Sequence, residues 1–250
     1  MKEIIIFDVD GTLVESGSQI EDKNIEVLKK LKKKYELALC GGGKIDKILH
    51  QMKNKIYFNH YFTECGCVYD FNKSKKKLEL ENIYIKNLRE HPLYCEINIL
   101  IKEFLKYLSN VSYEITGHFV DLRNGIVYLS CIGMQATLNE REKFKALDLQ
   151  INIRNNIINI LKKKAHELGI LSDISINIGG SVGIGVYPKE YDKIQILKFI
   201  NKKKYSKIYY FGDKYSKDGN DYEIINDKDI IGHKIDNVYE TYNILKKEFI

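Results

Sequence analysis

Two aspartates, Asp8 and Asp10, stand where an apolar run ends and a glycine turn begins, in Phe7-Asp8-Val9-Asp10-Gly11-Thr12-Leu13. Carboxylates two residues apart at the end of a buried strand project into one crevice. There they can bind Mg²⁺ and place one oxygen in line with a phosphorus atom. A second acidic constellation repeats the pattern: Phe211-Gly212-Asp213-Lys214, followed by Asp218-Gly219-Asn220-Asp221. It too follows an apolar run and closes around a glycine loop. With the turn Gly41-Gly42-Gly43, the two acidic strand ends describe a crevice for Mg²⁺ and a phosphate, and the chemistry they suit is phosphoryl transfer.

The elements that must position these residues are legible as patterns. Glu3 to Asp8 is a continuous apolar run that stops on a carboxylate, as a buried parallel strand does. Ile25, Leu28 and Leu31 recur at helical spacing behind Glu21-Asp22. Tyr35 to Cys40 is again strand-like, and so is Lys207 to Phe211, with a closing helix near residues 238–249. This alternation predicts an α/β fold: a Rossmann-like, doubly wound core with its site at the carboxyl ends of the strands.

The middle of the chain has another rhythm. A helix near residues 96–108, strands at 118–122 and 126–132, a long helical region over 139–168, and strands at 174–178 and 182–186 come in blocks. That is an α+β pattern around an antiparallel sheet. The expected organisation is therefore a catalytic core from 1–81 and 188–250, with an inserted α+β cap domain at 82–187 and Pro188 as a hinge.

Composition narrows the class. The chain has 250 residues, is 44% hydrophobic and 30% charged, and holds no apolar run long enough to span a bilayer. Its net charge of +6 comes almost wholly from lysine; the arginines are Arg89, Arg123, Arg141 and Arg154. Arginine forks, the groups that read base edges and phosphates most specifically, are nearly absent, which argues against nucleic acid. Five cysteines without framework spacing read as free thiols in a reducing cytosol, so a cytoplasmic protein is expected.

On these motifs the chain resembles the haloacid-dehalogenase-like phosphotransferases, and within them the eukaryotic-type phosphomannomutases. The narrower likeness rests on Arg123-Asn124-Gly125, Ile132-Gly133, Glu140-Arg141, Ile178-Gly179-Gly180, Tyr191-Asp192-Lys193 and Phe211-Gly212-Asp213-Lys214. The resemblance implies that Asp8 is the nucleophile that becomes an aspartyl-phosphate and that Asp10 is the general acid and base. It places Mg²⁺ on Asp8, Asp10 (through its carbonyl), Asp213 and Asp221. Lys193 would neutralise Asp8 and the transferring phosphoryl group. Arg123, Arg141 and Asn124 of the cap, with Gly42 and Gly43 of the core, would contact substrate. The implied reaction interconverts mannose 6-phosphate and mannose 1-phosphate, primed by a hexose bisphosphate, in the supply of GDP-mannose. A homodimer through the cap and a further cation site near Asp227 come with the same likeness.

The sequence departs from the family pattern at substrate contacts. Gly17 and Met134 stand where the resemblance implies arginines, and Gly43 where it implies a serine. Gly183 and Gly185 replace a serine and an aspartate that contact the sugar. Along that strand Val182, Ile184 and Val186 keep an apolar face, while the opposite face reads as stripped to backbone. Two alternatives to a mutase follow: a sugar-phosphate phosphatase, or a non-catalytic binding protein on a mutase fold. Arg154 reads as a surface residue.

Overall fold

The computed structural model describes residues 2–74, 76–217 and 219–250; Asp218 of the acidic loop lies outside the described residues. The chain divides into two compact units, one of Met1–Lys86 with Asp192–Ile250, the other of Asn87–Tyr191.

In the first unit the chain runs β1 (Lys2–Phe7), α1 (Asp22–Leu31), β2 (Glu36–Cys40), α2 (Ile45–Gln51), β3 (His60–Thr63), β4 (Val68–Asn72) and β5 (Leu80–Ile85). The second unit takes α3 (Tyr94–Leu108), β6 (Val120–Leu122), β7 (Val127–Ser130), α4 (Leu138–Ile151), α5 (Ile153–Glu167), β8 (Ile174–Gly179) and β9 (Gly183–Pro188). The first unit then resumes with β10 (Tyr205–Gly212), α6 (Tyr222–Ile225), β11 (Ile231–Lys234) and α7 (Val238–Ile244).

The first unit is built on a seven-stranded sheet in the order β11-β10-β1-β2-β3-β4-β5. Its first five strands are mutually parallel, and β4 and β5 extend it as antiparallel strands. Both faces are covered, which is why the central strands read as unbroken apolar runs. Along β1, Ile5 and Phe7 pack with Leu28, Leu31 and Leu245 on one face. Ile4 and Ile6 pack with Ile196, Ile200 and Ile224 on the other. None of β3, β4 and β5 is anticipated from sequence. Because β5 pairs with β4, the first unit keeps the chain as far as Lys86, a few residues beyond the boundary read from sequence. The return crossing also falls later than expected: Pro188 closes β9 and the first unit resumes at Asp192.

The second unit has a four-stranded antiparallel sheet in the order β6-β7-β9-β8. Ile157, Leu161 and Ala165 of α5 and Ile97, Leu100 and Phe104 of α3 are buried within the unit. The long helical region expected over 139–168 is two helices. Asn152, at φ +53°, turns left-handed between them, and the Asp148 carboxylate accepts the Arg154 backbone N–H across the corner at 2.8 Å. Asparagine tolerates this conformation better than most residues, and its apolar neighbours hide the break from a periodicity reading.

That corner also corrects the reading of Arg154. Its side chain is 15% exposed, and Nε donates to Asp148 Oδ2 at 2.6 Å while Nη1 donates to the Gly180 carbonyl. Asp148 is itself buried, so Arg154 locks the junction of the two helices to the β8–β9 turn rather than lying on the surface.

Among the described residues no helix is long and apolar enough to cross a membrane. No disulfide joins the five cysteines.

Candidate phosphotransfer site

The carboxyl ends of β10, β1 and β2 lie side by side because these three strands are neighbours and parallel. Each carries one of the sequence constellations: Asp213 after β10, Asp8 after β1 and Gly41 after β2. The Asp8 N–H still donates to the Phe211 carbonyl at 2.9 Å, so the sheet ladder fixes the backbone of Asp8 itself.

Asp8 and Asp221 are buried and share one ammonium. Lys193 Nζ donates to Asp8 Oδ1 at 2.5 Å and to Asp221 Oδ1 at 2.6 Å. Lys193 opens a short 3-10 helix whose cap is Asp192, which accepts the Lys193 N–H at 2.7 Å. Asp221 also accepts the Tyr210 hydroxyl on Oδ1 and the Lys214 N–H on Oδ2. Asp213 takes the exposed Lys214 Nζ on Oδ2, while its Oδ1 is buried with no hydrogen-bond partner among the described residues.

The electrostatics are short of positive charge. Burial pushes the Asp8 carboxyl up to about 8 against the pull of Lys193, helped by the neighbouring Asp221 and Asp213 carboxylates. Lys193, by contrast, is held well above its ordinary range because Asp221 and Asp8 outweigh its desolvation. One ammonium between two buried carboxylates leaves the cluster underneutralised, although the 2.5 Å contact itself is that of an ion pair. The ligand atoms of Asp8, Asp213 and Asp221 lie within 4.8 Å of one another, the only such group among the described residues. An all-oxygen set with an orphaned buried carboxylate oxygen fits a hard divalent cation. Asp213 and Asp8 have the open chemistry for direct ligation. Asp221, with both oxygens engaged by protein donors, is better suited to orienting them.

Asp10 points elsewhere. Its carboxylate takes Lys47 Nζ on Oδ2 at 2.5 Å, and Gln51 Nε2 at 2.7 Å and the Gly17 N–H at 3.2 Å on Oδ1. Although burial opposes it, the Lys47 charge and these donors hold the Asp10 carboxyl below its ordinary range. The Asp10 side chain is thus not among the grouped cation ligands; only its backbone carbonyl is left for the role the resemblance gave it.

Lys47 and Gln51 have no role in the sequence reading. Their signal was there: two polar residues at i and i+4 on the helix after the Gly41–Gly43 turn. The Oγ1 of Thr12 in the motif is buried with no hydrogen-bond partner among the described residues, as is Asn220 Oδ1. Gly11, at φ +93°, is required where it stands, since a Cβ there would lie 2.4 Å from Asp213 Oδ2. Added Cβ atoms at Gly42 and Gly43 would meet Cys65 Sγ at 3.8 Å and Lys47 Cδ at 3.0 Å. Near Asp227, its Oδ1 accepts the Asp229 N–H, and Asp227 belongs to no group of three or more ligating side chains among the described residues.

In the second unit, Arg123 and Arg141 are ordered by their own surroundings. Arg123 Nε donates to Asp121 at 2.7 Å, and its guanidinium lies 5.2 Å from the centroid of Tyr128. Arg141 donates to the carbonyls of Ala136 and Met134. The Asn124 carbonyl accepts the Leu88 N–H at 2.7 Å. Tyr128 corrects the picture of a face stripped to backbone. Its hydroxyl donates to the Gly179 carbonyl at 3.0 Å, and a Cβ on Gly183 would lie 2.4 Å from its Cζ. A Cβ on Gly185 would meet Ile126 Cδ1 at 2.9 Å. Both glycines are buried under neighbouring side chains rather than open. Gly183→Ser should therefore destabilise the protein by about 1–3 kcal/mol through overpacking. Tyr128→Ala in the same chain should recover part of that loss in a double-mutant cycle of thermal unfolding; strict additivity would show that the ring and position 183 do not compete for space.

A family model described as eukaryotic phosphomannomutase matches residues 24–250. The chain belongs to the eukaryotic phosphomannomutase family. It is 36% identical to phosphomannomutase 1 of Dictyostelium discoideum over 98% of this chain and 96% of that protein. Identity to the phosphomannomutase of Saccharomyces cerevisiae is 31%, over 98% and 94%. Among solved structures, a haloacid dehalogenase-like hydrolase from Bacteroides thetaiotaomicron superposes with a TM-score of 0.53 at 15% identity, covering 90% of this chain and 85% of that one. That likeness is one of fold: the mixed α/β architecture of this phosphomannomutase family member is haloacid dehalogenase-like.

Proposed function

We propose that this protein is a Mg²⁺-dependent phosphomannomutase that interconverts mannose 6-phosphate and mannose 1-phosphate through a phosphoryl group carried on Asp8. Membership of the family over nearly the whole chain carries the reading. The orphaned oxygen of Asp213 and the short supply of positive charge around Asp8 support the cation.

In this mechanism an Asp8 oxygen attacks the phosphorus of a hexose bisphosphate, forming the aspartyl P–O bond as the bond from phosphorus to the sugar oxygen breaks. Asp10 gives that departing oxygen a proton. The sugar phosphate re-binds with its other end toward Asp8, and Asp10 takes the proton of the incoming hydroxyl as the phosphoryl group returns to sugar. Lys193 pulls the Asp8 carboxyl toward ionisation against its burial and offsets charge that develops on the transferring oxygens. A divalent cation held by Asp8 and Asp213 would supply fixed positive charge to the phosphoryl group. Arg123, Arg141 and Asn124 hold the phosphate remote from the chemistry, and Gly42 and Gly43 let backbone approach the transferring one. The hexose bisphosphate serves as primer, and the product feeds GDP-mannose formation.

Purified protein with Mg²⁺ and mannose 1-phosphate should form mannose 6-phosphate only when a hexose 1,6-bisphosphate is added. Release of inorganic phosphate without isomerisation would overturn the mutase. It would establish the second reading, a sugar-phosphate phosphatase, which the loss of polar side chains at Met134, Gly183 and Gly185 favours.

A further inference from the structure

Asp10 is held asymmetrically. Its Oδ1 is clamped by fixed donors: the Gln51 amide, on a side chain that is almost fully buried, and the Gly17 N–H. Its Oδ2 is held by Lys47 Nζ at 2.5 Å, on a side chain that is 47% exposed. Lys47 and Gln51 lie one turn apart on α2, so a single helix face supplies both the fixed and the movable partner.

An acid-base carboxylate must offer one oxygen to the sugar while the other keeps its orientation. The buried amide and the backbone N–H suit orientation. The ammonium on a four-carbon stem can leave Oδ2 for an oxygen of the incoming substrate at little conformational cost. The stem passes close to Gly43, where an added Cβ would lie 3.0 Å from Lys47 Cδ.

We propose that Lys47 is a positioning residue that presents Asp10 Oδ2 to the sugar hydroxyl. The inference rests on the phosphotransferase reading of the site. Its consequence is selective. With Lys47 in place the acceptor oxygen of a sugar is aligned on Asp10. Without it the carboxylate is held only on one side, and the aspartyl-phosphate decays to water more often relative to transfer.

The test uses the full-length protein with Mg²⁺, hexose 1,6-bisphosphate and mannose 1-phosphate, reading isomerisation and inorganic phosphate in the same assay. Wild-type turnover decides the functional reading by itself; Lys47 is judged on the variants relative to that rate, whether isomerisation or phosphate release. Lys47→Met should lower kcat about tenfold or more with KM within about threefold, and should raise the ratio of phosphate released to sugar isomerised. Lys47→Arg should recover most of kcat. Thermal unfolding of each variant separates a folding defect from a positioning one, since Lys47 is half exposed. A Lys47→Met enzyme with kcat within about twofold of wild type would overturn the proposal, and so would a loss confined to KM, which would make Lys47 a binding group.

Discussion

Asp8→Asn should abolish phosphotransfer, with a loss of about 10⁴-fold or more, and should leave no hydroxylamine-labile phosphate on the protein. The amide keeps the shape of the carboxylate and removes the nucleophilic charge. The same substitution should raise stability in the absence of a divalent cation, because it deletes one of the buried carboxylates competing for Lys193. The pH dependence gives the sign. The folded-state pKa of Asp8 is raised from 3.8 to about 8, so the folded protein holds a proton that the unfolded chain has already released. This contribution is complete below about pH 4 and is lost progressively as pH rises toward 8. Metal-free wild type should therefore lose stability across that window, Asp8→Asn should lose less, and Mg²⁺ should protect wild type most at its alkaline end. An Asp8→Asn protein that still turned over at the wild-type rate would remove Asp8 from the mechanism.

Lys193→Met should be the most damaging single change to the folded protein. Methionine matches much of the lysine stem but leaves Asp8 and Asp221 facing each other with no ammonium, and Asp221 is wholly buried. Breaking a buried pair from one side costs about 3–5 kcal/mol. Activity should fall by about 10²–10³-fold in the fraction that folds, as a lost stabiliser of transition-state charge does. Adding Asp221→Asn should restore part of the stability and none of the activity. Denaturant unfolding and kcat, measured on the same preparations, separate the two effects; a Lys193→Met protein as stable as wild type would mean that the buried carboxylates do not depend on this ammonium.

The parts of the fold and site that were legible in the sequence are those written locally. A strand that ends on an acid and a glycine turn occupies a few consecutive residues, so the carboxyl ends of β1, β2 and β10 could be found from Asp8, Gly41 and Asp213 alone. The pairing of Lys193 with Asp8 has no such signature, because it joins residues 185 positions apart; only the family likeness supplied it. Lys47 and Gln51 were missed for a related reason: their service to Asp10 depends on how α2 is rotated against the sheet. The strands β3 to β5 are short and rich in tyrosine and polar residues, and the left-handed run through Glu64, Cys65 and Gly66 separates two of them without a proline to mark the turn. Tyr128 shows the converse failure. Reading Gly183 as empty space was sound along its own strand, but the volume was filled from the neighbouring strand β7.

The position of β10 has a consequence for biogenesis. It is the parallel neighbour of β1 on the side away from β2, yet it is synthesised only after all of the second unit. Until the ribosome has made Tyr205–Gly212, β1 is an exposed edge strand of high apolar content, a template for pairing with other chains. Asp8 likewise waits for Lys193. The continuous stretch Asn87–Tyr191 has no comparable debt to residues made later. Growing chains should thus be most prone to aggregate while the second unit is complete and the first is not, and chaperone dependence should concentrate in that interval.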